Sequence, residues 1–136
     1  MSRQHDSREP KDWLQFAEAD LASAEHVLSG QKPCPYWIVA YHAQQCAEKA
    51  LKAFLISREQ EYEYSHDLRL LMDSCEQAGA DWVARVRPSE KIMTFSVVAK
   101  YPSRIRKVSK ADAELAVRLA RDVLNAVSGA IEHRKA

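Results

Sequence analysis

Between Tyr36 and Leu55 the chain runs for twenty residues, YWIVAYHAQQCAEKALKAFL, without a glycine or a proline. Ala40, Ala43, Ala47 and Ala50 recur every three or four residues and lead on to Phe54. That spacing places their side chains on one stripe of an α-helix. The stripe is expected to face the core, and its small side chains let neighbouring helices approach closely. The opposite stripe carries His42, Gln45, Lys49 and Lys52, with Gln44 and Glu48 at its edge. Glu48 stands four residues before Lys52, the favourable order for an ion pair along a helix. A chain with this segment at its centre is organised as helices packed around a helix.

The flanking segments repeat the helical pattern. Pro10 suits a first helical turn, with Glu9 and Asp12 complementing its positive end. Trp13, Phe16, Ala17, Leu21, Ala24, Val27 and Leu28 form an apolar stripe that stops before Gly30. The prolines of QKPCP force a turn, and so short a connection implies antiparallel neighbours. Beyond the central helix, Ser65 or Asp67 can cap a third helix with Leu68, Leu71, Met72 and Cys75 inside and Gly79 at its end. Trp82, Val83 and Val86 suggest a single turn before Pro88. SEKIMTFSVVAKY reads as a fourth helix with Ile92, Phe95, Val98 and Ala99 inside, and Pro102 sets its limit. Ser109 and Asp112 have capping-box spacing ahead of a last helix lined by Ala113, Ala116, Val117, Ala120, Val123, Leu124, Val127, Ala130 and Ile131. The expected fold is therefore all-α, an antiparallel up-and-down bundle of four main helices plus a short one. Residues 1–11 are expected to be a flexible N-terminus, 12–133 one helical domain and 134–136 a tail.

Composition narrows the function. With 46% hydrophobic residues among 136, the chain can bury one real core, and three glycines with five prolines disfavour sheet or disorder. Twenty Lys and Arg against 19 Asp and Glu leave a net charge of +1, so any basic site must be local. Cys34, Cys46 and Cys75 are widely spaced, which argues against a disulfide framework or a structural zinc site and suits a reducing cytoplasm. No apolar run reaches membrane-spanning length, and MSRQHDSREPKD does not resemble a signal peptide. No metal or cofactor is expected: His-Glu-x-x-His is missing, and so few glycines leave no phosphate loop.

Two groups of residues remain as candidates. Lys49 and Lys52 on the central helix, with Tyr101, Arg104 and Arg106 in the basic stretch YPSRIRKVSK, could pair phosphates while an aromatic ring stacks on a base. The same cations also read as a solvated charged face. His66 and Asp67 place an imidazole beside a carboxylate, the components of acid-base catalysis, although helix capping explains the pair equally well. Cys46 and Cys75 are expected in the core, and Cys34 nearer the surface.

His42-Ala-Gln-Gln-Cys-Ala-Glu-Lys-Ala-Leu-Lys, then Ser65-His66-Asp67-Leu68 and later Tyr101-Pro102, together resemble the HEPN family of helical domains. The opening Trp13 to Ala24, with Ala19-Asp20-Leu21, is similar to that family's first helix. The resemblance covers about residues 12–132. It implies a helical bundle, usually a homodimer, often encoded beside a minimal nucleotidyltransferase and proposed to help bind its nucleotide or substrate. Many members are ribonuclease toxins, in which an arginine followed a few residues later by a histidine forms a metal-independent RNA-cleaving site across the dimer. This chain departs from that pattern. No histidine follows Arg104, Arg106, Arg118 or Arg121 within six residues, and His133 lies twelve beyond Arg121. The resemblance therefore implies an accessory or binding module more than the usual nuclease. The alternatives are a ribonuclease built on His66 with Arg104 or Arg106, or a purely structural dimerisation module.

Overall fold

A computed structural model describes residues 9–30, 32–61, 66–96 and 108–135, with the side chains of the last segment described to Glu132. Among the described residues six α-helices succeed one another: α1 (Pro10–Leu28), α2 (Tyr36–Ser57), α3 (Leu68–Gln77), α4 (Val83–Val86), α5 (Ile92–Ser96) and α6 (Lys110–Lys135). A 3-10 turn, Arg87–Lys91, joins α4 to α5. The all-α bundle expected from the sequence is present, with no strand among the described residues.

Helix α2 is the axis, with α1, α3, α5 and α6 packed against it. Along α1, the order Asp20, Phe16, Trp13 meets Lys49, Lys49 again and Lys52 of α2, so the two helices run antiparallel. The alanine stripe of α2 is fully buried together with Phe54, and it lies where neighbouring backbones come close. From α1, Trp13, Ala17, Leu21 and Ala24 enter the core. Phe16 does not. It was expected in the apolar stripe but is 43% exposed, because it precedes Ala17 by one residue and is turned some 100° away from that row.

Local chemistry sets the helix ends. Asp67 caps α3, its side chain accepting from the Arg69 N–H at 2.9 Å. Gly79 closes the same helix in the left-handed region (φ 99°), while the Ala80 N–H reaches back to the Cys75 carbonyl at 3.0 Å. Ser109 and Asp112 form the reciprocal capping box at the start of α6: the Asp112 N–H donates to Ser109 Oγ at 3.0 Å and the Ser109 N–H to Asp112 Oδ2 at 3.1 Å.

Val83–Val86 forms the expected turn. The segment expected as one helix from Ser89 is different in its described part. Pro88 lies in the first turn of the 3-10 segment Arg87–Lys91, and Ser89 Oγ donates to the Val86 carbonyl at 2.5 Å, so α-helical geometry resumes only at Ile92. Ile92 and Phe95 point inward as expected. Val98, Ala99 and the basic stretch with Tyr101, Arg104 and Arg106 lie outside the described residues.

Candidate functional site

Gln44, Glu48 and Lys52 follow one another at intervals of four on α2 and so form one row along the helix. Because α2 is wrapped by its neighbours, even this row is covered. Glu48 is 2% exposed and Lys52 7%. The reading of these residues as a solvated face is thus corrected for Lys52, while Lys49 keeps partial exposure. Spacing along one helix gave the row but not what lies over it.

Glu48 is the hub of the row. Its carboxylate faces His66 Nδ1 at 2.9 Å and the Gln44 amide nitrogen at 3.3 Å, with Lys52 Nζ at 3.8 Å. Gln44 Nε2 also donates to the backbone carbonyl of His66 at 2.8 Å, and Gln44 Oε1 accepts from the Ser96 hydroxyl on α5. The central-helix motif and the Ser-His-Asp motif, 18 residues apart between Glu48 and His66, are one hydrogen-bonded unit. His66 takes its carboxylate partner from α2, whereas adjacent Asp67 caps α3. The imidazole itself is 68% exposed.

A second cluster joins α1 to α2. Asp20 receives Lys49 Nζ at 2.7 Å on one oxygen and faces His42 Nδ1 at 3.1 Å with the other. Lys49 also lies 5.9 Å from the centroid of the Phe16 ring, and Lys52 the same distance from that of Trp13. Burial pulls the Lys52 ammonium below the usual lysine range, opposed by the neighbouring Glu48 charge. Sequence reasoning did not find Asp20 or Ser96 as partners of the polar residues on α2, nor the carboxylate that orients His66. Asp20 had a signal, in the short Ala19-Asp20-Leu21 match. Ser96 had none, since a serine in an apolar segment says nothing about a helix across the bundle.

The thiols behave as core. Burial, with the Asp20 charge adding to it and Lys49 opposing, pushes the Cys46 thiol up to about 12. Burial alone pushes Cys75 up to about 12. Cys34, half-buried, donates to the Val27 carbonyl at 3.4 Å. Native protein is therefore expected to give one fast thiol, Cys34, with a thiol-specific reagent, and three after unfolding. A pH dependence follows. Unfolded thiols ionise from about pH 9 while folded Cys46 and Cys75 hold their protons to about 12. Their contribution is complete below pH 9 and is lost as pH rises, by about 1.4 kcal/mol per pH unit for each thiol. Lys52, lowered in the fold, works the opposite way as pH approaches its unfolded value. Urea unfolding across the alkaline range, repeated with Cys46→Ala and Cys75→Ala, measures the thiol share as the slope that the substitutions remove.

No group of three or more metal-ligating side chains forms among the described residues, and none of their helices is long and apolar enough to cross a membrane. What the site offers chemically is an exposed imidazole held by a buried carboxylate, set in a network that neutralises its own charges.

The HEPN domain family model matches residues 10–131. The crystal structure of an archaeal HEPN homologue is similar to this chain at a TM-score of 0.71 and 25% sequence identity, covering 90% of this chain and 98% of that one. Among curated proteins, no sequence matches the chain significantly.

Proposed function

The chain belongs to the HEPN domain family, and from that premise we propose that it is an accessory module, working as a homodimer beside a minimal nucleotidyltransferase and helping to hold a nucleotide or polynucleotide. One observation carries this reading. The charged side chains of α2 are committed to internal partners, Lys49 to Asp20 and Glu48 to Lys52 and His66. They build the bundle, and Lys52, the cation that shares Glu48 with His66, is itself buried. The sequence lacks the arginine and histidine spacing of the family's nucleases. Exposed Phe16 and Tyr41 flank the Asp20 cluster and supply aromatic surface of the kind enriched at interfaces.

The test combines light scattering on the purified chain with binding to the nucleotidyltransferase encoded nearest to it. A dimer that forms a stable complex and cleaves no RNA is expected. A monomer that ignores such an enzyme would overturn the reading.

The His66 contact favours one alternative, a ribonuclease. A buried carboxylate on Nδ1 orients the imidazole, as a general base requires. RNA cleavage that disappears in His66→Ala and Glu48→Gln, with the fold retained, would establish it in place of the accessory role. Arg104, the phosphate-stabilising candidate in that scheme, lies outside the described residues.

A further inference from the structure

The first N–H groups of any helix have no acceptor within it and must find one elsewhere. In α3 the earliest bond within the helix is that of the Leu71 N–H to the Asp67 carbonyl. Of the donors before it, the Arg69 N–H is taken by the Asp67 side chain. Leu68 is fully buried, and its N–H donates across the bundle to the thioether sulfur of Met93 on α5, at 3.2 Å. One methionine thus serves as the acceptor for the buried start of α3.

That acceptor is a weak one. The neighbouring joins of the same segment use stronger groups: the Gln44 amide on the His66 carbonyl, the Glu48 carboxylate on His66, and the Ser96 hydroxyl on Gln44. Met93 stands inside this network, since its carbonyl also accepts from Ser96 Oγ at 3.5 Å. It is also within reach of solvent. Of the two methionines among the described residues, Met72 is fully buried, whereas Met93 is only half-buried against the core.

We propose that Met93 is a reversible oxidation site, at which a peroxide converts the thioether to the sulfoxide and unfastens the start of α3. A sulfur lone pair attacks one peroxide oxygen, and the S–O bond forms as the O–O bond breaks. The departing hydroxide takes the proton of the transferred oxygen and leaves as water. Sulfur is oxidised by two electrons and the peroxide is reduced by two. The sulfur of a sulfoxide carries positive charge and no longer accepts a hydrogen bond. Its oxygen can take over the Leu68 N–H only if the sulfur withdraws, because sulfur and nitrogen are already in contact. Either way the join between α3 and α5 is lost, two residues from the exposed His66 imidazole. Methionine sulfoxide is returned to the thioether by reductases, so the change is a switch and not only damage. This assignment does not depend on the accessory reading.

The test treats the folded full chain with hydrogen peroxide, follows each methionine by mass spectrometry and measures hydrogen exchange at the Leu68 amide by NMR. Met93 is expected to oxidise while Met72 stays reduced. Exchange at Leu68 is expected to quicken about threefold to tenfold, the range set by one neutral hydrogen bond, and to return after treatment with methionine sulfoxide reductases. Met93→Leu nearly conserves volume but has no acceptor. It is expected to show the faster Leu68 exchange without peroxide and no further response to it, which separates Met93 from oxidation at Cys34. Met93 that stays reduced at peroxide concentrations oxidising free methionine overturns the proposal, as does Met72 oxidising in step with Met93. Sulfoxide at Met93 with unchanged exchange at Leu68 overturns it too.

Discussion

Replacing Glu48 with alanine is expected to destabilise the protein by about 3–5 kcal/mol, the cost of breaking a buried ion pair from one side. For a chain of this size that corresponds to a fall in Tm of roughly 10 °C or more. Three consequences add up. Lys52, 7% exposed, loses the carboxylate that stands 3.8 Å from its ammonium. His66 loses the acceptor that fixes Nδ1. Gln44 keeps the His66 carbonyl and the Ser96 hydroxyl but loses its partner within the helix. Glu48→Gln preserves volume and an acceptor, so a smaller cost of about 1–3 kcal/mol is expected, that of a degraded hydrogen bond beside a charge. Thermal and urea unfolding of the two variants separate the charge from the shape. Equal, small effects would mean that Lys52 and His66 find other partners.

Phe54→Ala is expected to cost about 3–5 kcal/mol through lost burial and the cavity left behind. Phe54 is fully buried, meets the Trp82 ring edge-on at 5.1 Å and carries the Arg58 guanidinium on its face. Its loss removes packing and also frees Arg58. Phe54→Leu, which keeps most of the volume, is expected to cost less than Phe54→Ala in urea unfolding.

The helical frame was legible in the sequence because each helix carries its own record. The alanine row of α2, the capping box at Ser109 and Asp112, and Gly79 after α3 are local patterns, and local patterns survive without knowledge of neighbours. Two features were misread. Phe16 fits a generous apolar stripe on α1 yet is exposed, and Lys52 lies on a polar stripe of α2 yet is buried. Phe16 stands some 100° from the buried row of its own helix, whereas Lys52 is covered by neighbouring elements, whose position periodicity within one segment does not carry. The site divides in the same way. The Gln-Gln-x-x-Glu-Lys-x-x-Lys and Ser-His-Asp motifs could each be seen, but their meeting at Glu48 and His66 depends on how the chain returns after residue 61. Leu68 and Met93 do not stand out as a pair, since only the placement of α5 beside the start of α3 brings N–H and sulfur together.

Gln44 and Glu48 hold both ends of the excursion that begins at His66 and finishes at Ser96. Topologically the protein is thus a frame of α1, α2 and α6 carrying a clasped insert. The entropy of closing such a loop rises only slowly with its length, so the clasp constrains where the insert starts and stops far more than what lies between. Exchange of the exposed residues between those two points is compatible with an unchanged frame, whereas Leu68, Met72, Trp82 and Ile92 belong to the core. Two residues of one helix thus fix where the segment leaves the frame and where it rejoins it.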